Sequence, residues 1–161
     1  MLKNNVPAMP YDDYMKNQKI DNMKRIKQIL LFIWQLPQNI LGLILFWWYK
    51  RISTRTHRDI YKGVNYLFTD KIKGAISLGN YVIVNWVYHS YRHSDWEEGL
   101  KTIKHEYGHT RQSLMFGPFY ILLIGYQSII HAGFHGSLCH GKDYHHFWTE
   151  KWADKLGGVK R

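Results

Sequence analysis

Five consecutive residues, His105-Glu106-Tyr107-Gly108-His109, carry most of the chemistry visible in this chain. Two histidines four apart sit about one turn apart on one face of a helix, so both imidazoles can reach a single metal ion. Glu106, between them, is placed to approach a metal-activated water and take its proton. A zinc ion there would polarise a carbonyl and acidify water, the combination that hydrolyses amides. The five-residue pattern also arises by chance in roughly one chain in a few hundred, more often where histidine is abundant, so it needs further ligands to carry meaning. Gly108 lies inside the expected helix at a cost of about 1 kcal/mol, which predicts that backbone or substrate comes close there.

Two imidazoles require a third protein ligand, with one position left open for water. Glu150 is the leading choice, and the expected complement is one Zn2+ per chain. Asp154 follows one turn later on the same face, placed to accept a hydrogen bond from the far nitrogen of a ligand histidine. Thr149 is positioned to cap the helix that carries both. The rivals to Glu150 are His135, His140, His145 and His146, each able to serve as ligand, as hydrogen-bond donor to a reacting oxygen, or as a polar loop residue.

Ser94-Asp95-Trp96-Glu97 reads as a capping box, opening a helix over 94–115. Leu100, Ile103, Tyr107 and Leu114 share one face, with His105, His109 and Gln112 roughly opposite. Residues 60–90 are aromatic and β-branched, punctuated by Gly63, Asp70, Gly74, Gly79 and Asn80, and predict two or three short antiparallel strands. Tyr81–Val87 is the strongest of these, either a core strand or an edge on which an extended peptide could add. Residues 133–144 are expected to form a loop, and 147–156 a short amphipathic helix stopped by Gly157-Gly158.

Two apolar stretches frame this region. Residues 29–49 are long enough to cross a hydrocarbon core, yet contain Gln35-Leu36-Pro37-Gln38-Asn39, costly in lipid unless faced by protein or water. They form a kinked crossing helix, a re-entrant hairpin turning at Pro37–Asn39, or a buried core helix. The amides line a polar path to the metal or pair with Gln127 and Ser128. Residues 116–132, broken at Gly117-Pro118, are at the short end for spanning. Trp34 and Trp47-Trp48-Tyr49 suit a membrane interface. The formal net charge of +10 brackets the first stretch, with Lys16, Lys19, Lys24, Arg25 and Lys27 before it and Lys50, Arg51, Arg55, Arg58 and Lys62 after. Without helix-turn-helix or finger spacing, this favours an anionic lipid membrane over nucleic acid. The long polar start argues against a cleavable signal peptide, and the single cysteine, Cys139, excludes an intrachain disulfide.

His105-Glu106-x-x-His109 followed by Glu150-x-x-x-Asp154 resembles the gluzincin pattern of thermolysin-like peptidases. The resemblance implies His105, His109 and Glu150 as zinc ligands, Glu106 as general base and Asp154 as the residue orienting His105. The donor histidine of that family would follow Glu150; here His140, Tyr144, His145 and His146 are the candidates for its role. His105-Glu106-Tyr107-Gly108-His109-Thr110-x-Gln112-Ser113, Gly117-Pro118 and Phe147-x-Thr149-Glu150-x-Trp152-Ala153-Asp154-x-Leu156-Gly157-Gly158 are similar to small, poorly characterised bacterial membrane proteins. There is no Leu-Asp-Gly motif of the kind found in intramembrane site-2 proteases.

These readings predict an α+β chain: a minimal zincin-like domain, with a short antiparallel sheet and the HExxH helix, plus one or two membrane-embedded helical or hairpin segments. The expected divisions are a basic juxtamembrane segment (1–28), a membrane segment (29–49) and a zincin-like domain (60–161) that includes 116–132. The expected function is a membrane-associated zinc peptidase acting on a peptide or membrane-proximal protein, at a bacterial inner membrane with its site on the cytoplasmic side. The alternatives are a non-catalytic metal-binding membrane protein and a helical membrane scaffold.

Overall fold

The computed structural model describes residues 11–88, 96–138 and 146–160. The fold is α+β, with mostly helical content around one small sheet. Two helices come first, α1 (Tyr11–Trp34) and α2 (Leu36–Ile52). Four strands follow: β1 (Thr56–Tyr61), β2 (Val64–Thr69), β3 (Ala75–Leu78) and β4 (Tyr81–Asn85). The chain then forms α3 (Trp96–Phe116), a 3₁₀ turn (Gly117–Phe119), a π-helical turn (Ile121–Gly125), α4 (Tyr126–Leu138) and α5 (Trp148–Gly157).

The sheet order is β1-β2-β4-β3. β1–β2 and β3–β4 are antiparallel, whereas β2–β4 is parallel. The expected antiparallel sheet is thus corrected to a mixed one: after β2 the chain passes outward to β3, and β4 returns between them. Side-chain alternation reports which face a residue takes and says nothing about the direction of its neighbour. Lys62 and Gly63, both at positive φ (49° and 81°), make the two-residue turn from β1 to β2, a conformation whose twist suits a hairpin.

β2 and β4 are covered on both faces, as the apolar runs Tyr66–Phe68 and Tyr81–Val84 suggest. Val64, Tyr66, Phe68, Val82 and Val84 form the core with Ile103 of α3. Tyr66 also donates its hydroxyl hydrogen to the Ile103 carbonyl, 2.9 Å away. Alternation sends Leu67 and Ile83, both fully buried, to the other face, along which α2 packs. A Cβ on Gly42 of α2 would lie 2.6 Å from the Leu78 carbonyl oxygen, so a side chain there would push helix and sheet apart.

The first apolar stretch is broken by a bend of 87° between α1 and α2. The break falls at Gln35, two residues before the expected turn. Pro37 occupies the first turn of α2, where a missing N–H costs nothing. Among the described residues no single helix is long and apolar enough to cross a membrane; this pair is so only when taken together. So is the pair on either side of Tyr120, bent by 119°. Helix α4 runs to Leu138, into the region expected to be loop, so its glycines did not suffice to stop it.

Candidate metal centre

The site is assembled where α3 crosses α5, and glycines make the crossing close. A Cβ on Gly108 would stand 1.9 Å from the Ala153 carbonyl oxygen, and one on Gly157 would stand 2.0 Å from the Lys104 carbonyl oxygen. Each helix thus lays backbone on a glycine of the other. The close approach expected at Gly108 is made by backbone. It carries the first turns of α5 across the histidine face of α3. Gly158, at φ 75°, then ends α5 in the left-handed conformation that helix ends favour.

His105, His109 and Glu150 are buried and bring their donor atoms within 4.8 Å of one another, a group that can hold a metal ion. Nδ1 of His105 donates to Asp154 Oδ1 at 2.7 Å. Nδ1 of His109 donates to Gln112 Oε1 at 2.8 Å, the amide being oriented by its Nε2, which donates to the Thr149 carbonyl at 2.8 Å. With each Nδ1 proton held by an acceptor, the Nε2 atoms are left to face one point. They lie 3.2 and 3.3 Å from the same oxygen, Glu150 Oε2. Two ligand atoms about 2.0–2.1 Å from a tetrahedral zinc stand about 3.3–3.4 Å apart, which both imidazole–carboxylate separations match.

The second carboxylate oxygen of Glu150 is held apart. Its Oε1 accepts from Ser128 Oγ at 2.8 Å and from Thr149 Oγ1 at 3.3 Å. Thr149 was expected to cap α5; instead Phe147 is the N-cap, with no side-chain hydrogen bond, and the Thr149 hydroxyl turns to Glu150 and Ser128. With no metal bound, burial pushes the His105 imidazole down but its hydrogen bonds to Asp154 and Glu150 raise it to about 10, so its Nε2 carries a proton as well. Burial pushes the Glu150 carboxyl up, but hydrogen bonds and charge from His105 and His109 outweigh it and hold the group well below the usual carboxylate range.

Glu106 is buried beside this cluster. Ser77 of β3 donates to its Oε2 at 2.5 Å. A cleft of about 780 Å³ opens here, lined by Ser77, His105, Glu106, His109, Tyr120 and Glu150 among others. Tyr120 is buried, and its hydroxyl donates to the Ser77 carbonyl at 3.5 Å. The strand along the cleft is β3, at the sheet edge. Tyr81–Val87, the segment expected to offer an edge, supplies β4, which is enclosed between β2 and β3.

Of the other sequence candidates, His146 meets His131 edge-on, ring centres 5.3 Å apart, and is not among the residues lining the cleft. His140, Tyr144 and His145 lie outside the described residues, as do the side chain of His135 and the Ser94 cap. The amides of α2 form neither of the two expected arrangements. Gln38 Nε2 donates to Ser113 Oγ at 3.0 Å and to the Gly117 carbonyl at 2.7 Å. Ser113 donates to Gln35 Oε1 at 2.7 Å, and Asn39 Oδ1 accepts from the Asn80 amide at 2.8 Å. They staple α2 to α3 and to the β3–β4 turn. Gln127 and Ser128 face α5 instead, Gln127 accepting from Trp148 Nε1 at 3.1 Å. Ser77, Tyr120 and Ser128 were not anticipated at the site. A lone serine within the apolar run 116–132 was the only available signal for Ser128, and nothing local marks Ser77.

No family model matches the chain, and no curated protein or solved structure matches it either. The expected resemblance to gluzincins, and to small bacterial membrane proteins with a His-Glu-Tyr-Gly-His motif, is therefore corrected. The terms that depended on it fall with it: HExxH metalloprotease, gluzincin-like and bacterial. In their place stands a buried grouping of His105, His109 and Glu150, defined by donor atoms in space rather than by a family's spacing, that can coordinate a metal.

Proposed function

We propose that the chain is a membrane-associated protein that binds one zinc ion through His105, His109 and Glu150, with Asp154 and Gln112 orienting the two imidazoles. The observation that carries this reading is the convergence of both Nε2 atoms on one oxygen of Glu150, at 3.2 and 3.3 Å. Neutral imidazoles and a carboxylate form a donor set suited to zinc. The membrane part rests on the two bent apolar helix pairs, and residues 1–28, 29–49 and 60–161 are proposed as its basic, membrane and zinc-bearing parts.

The finer reading is peptide hydrolysis. Bound zinc supplies a Lewis acid for a carbonyl and lowers the pKa of water. Glu106 is the base that takes the proton at its carboxylate, and Ser77 keeps that carboxylate aimed. Tyr120 offers a buried hydroxyl to a reacting oxygen. β3, an edge strand of the sheet among the described residues, holds an extended peptide along the cleft by strand addition. A second reading, a non-catalytic metal site, is favoured by the same Ser77 contact, because a carboxylate already hydrogen-bonded within the protein has a structural use without any reaction.

Glu106→Gln separates the two. Zinc content should stay unchanged in either case. Peptide cleavage, measured on a quenched-fluorescence peptide library, should fall by at least about 100-fold if Glu106 is the base. A wild-type protein holding one zinc that cleaves no member of the library supports the non-catalytic reading.

A further inference from the structure

The manner of membrane attachment follows from the two unlike faces of α2. Its inner face lies on the sheet along its whole length. Asn39 bonds the Asn80 amide, Gly42 meets Leu78, and Phe46 packs edge-on against Tyr81 with ring centres 5.6 Å apart. Ser53, just past the helix end, hydrogen-bonds Thr69. Its outer face exposes Ile40, Leu41, Ile44, Trp47 and Trp48. An adjoining exposed apolar surface, Phe119, Leu122, Tyr126 and Ile129, begins at Gly117, which Gln38 ties to α2.

Were α2 to cross the hydrocarbon core, the sheet would travel with it. Arg55, Arg58, Lys62, Asp70, Lys71 and Lys73 are exposed or nearly so on that sheet and its turns, and charged groups in hydrocarbon are strongly disfavoured. Helix α1 is no better suited. Its apolar stretch before the bend, Ile29–Trp34, covers about 9 Å at 1.5 Å per residue, against a core of about 30 Å. Beyond it Lys19, Lys24, Arg25 and Lys27 are exposed. At the other end of α2, Lys50 stands over the Trp47 ring, 4.5 Å from its centre, with its cation where a headgroup would lie and its stem along the apolar face.

Given the membrane-associated reading above, we propose that the chain docks on one leaflet of an anionic bilayer. The outer face of α2 and the 119–129 surface lie in that leaflet, both basic clusters rest on headgroup phosphates, and no described element crosses. Ile129 belongs to this surface and also lines the cleft, beside Gly125 and Ser128, so the metal site opens beside the bilayer and its substrate class is polypeptide at the membrane surface.

The test uses the full chain with Cys139→Ser and one reporter at a time, K19C, R51C or R58C, added to preformed sealed vesicles of mixed phosphatidylserine and phosphatidylcholine. Bound protein is collected by sedimentation and labelled with a membrane-impermeant maleimide. The expected result is binding with all three reporters labelled to the same extent, within about twofold. Binding with Lys19 and Arg51 positions on opposite sides, one labelled and the other protected until detergent is added, overturns one-leaflet docking and leaves membrane association standing. No sedimentation with the vesicles overturns both.

Discussion

Helix α3 carries two buried polar clusters, and they do opposite things. Toward α5, His105 and His109 each give their Nδ1 proton to an acceptor and turn Nε2 to one carboxylate oxygen. Toward α2, Ser113 meets Gln35 and Gln38, and the amide donors end on a hydroxyl and a backbone carbonyl. Both are polar groups withdrawn from water and held by hydrogen bonds, with Gln38 Oε1 the one atom of the second cluster left without a partner among the described residues. The difference is the residue type: amides and hydroxyls close on one another and staple helices, whereas imidazoles anchored at one nitrogen leave the other for a ligand.

Replacing a ligand should break this contrast most completely. His109→Ala or Glu150→Ala should abolish stoichiometric zinc and, with it, the rise in melting temperature on adding zinc. In the wild type that stabilisation is about 4 kcal/mol when free zinc exceeds Kd 1,000-fold, and calorimetry with and without chelator checks it. Gly108→Ala comes next, because a methyl group cannot share the space of the Ala153 carbonyl. It should cost about 3 kcal/mol as an overpacking change and weaken zinc binding as α5 is pushed off α3, both read from denaturation and zinc titration. Asp154→Asn keeps the shape but loses the anionic acceptor on His105, and should lower zinc affinity by about 10–100-fold. Gln38→Leu removes the staple's donors. It should cost about 1–3 kcal/mol in urea unfolding with zinc content unchanged; a loss of zinc here would erase the distinction between the clusters.

The smallest effect concerns acid. In the metal-free protein Glu150 is held below the ordinary carboxylate range by His105 and His109. Its stabilising contribution is therefore complete above the unfolded carboxyl value, near pH 4.3, and is lost as pH falls toward the lower folded value. Metal-free wild type should lose more stability than metal-free Glu150→Gln across that window, and equal losses would contradict the pairing.

What could be read in advance was local. His105, His109, Glu106, Glu150 and Asp154 declare themselves by type and helical spacing, and the apolar runs of β2 and β4 declare strands. The direction of β4, the bend at Gln35 and the partners of Gln38 depend on contacts between residues far apart in the chain, which periodicity does not encode. Ser77 and Ser128 reach Glu106 and Glu150 only because β3 and α4 pack where they do. The wider resemblance read from short motifs had no counterpart over the chain: a few residues can specify a donor set without specifying a family.

The cluster between α3 and α5 is proposed to be a zinc site. The most direct measurement is elemental analysis of metal per chain, on protein purified without chelator and dialysed, beside Glu150→Ala treated identically. One zinc per wild-type chain and less than a tenth as much in the variant is the predicted result. No zinc in the wild type after reloading at neutral pH, or equal zinc in both proteins, would contradict it.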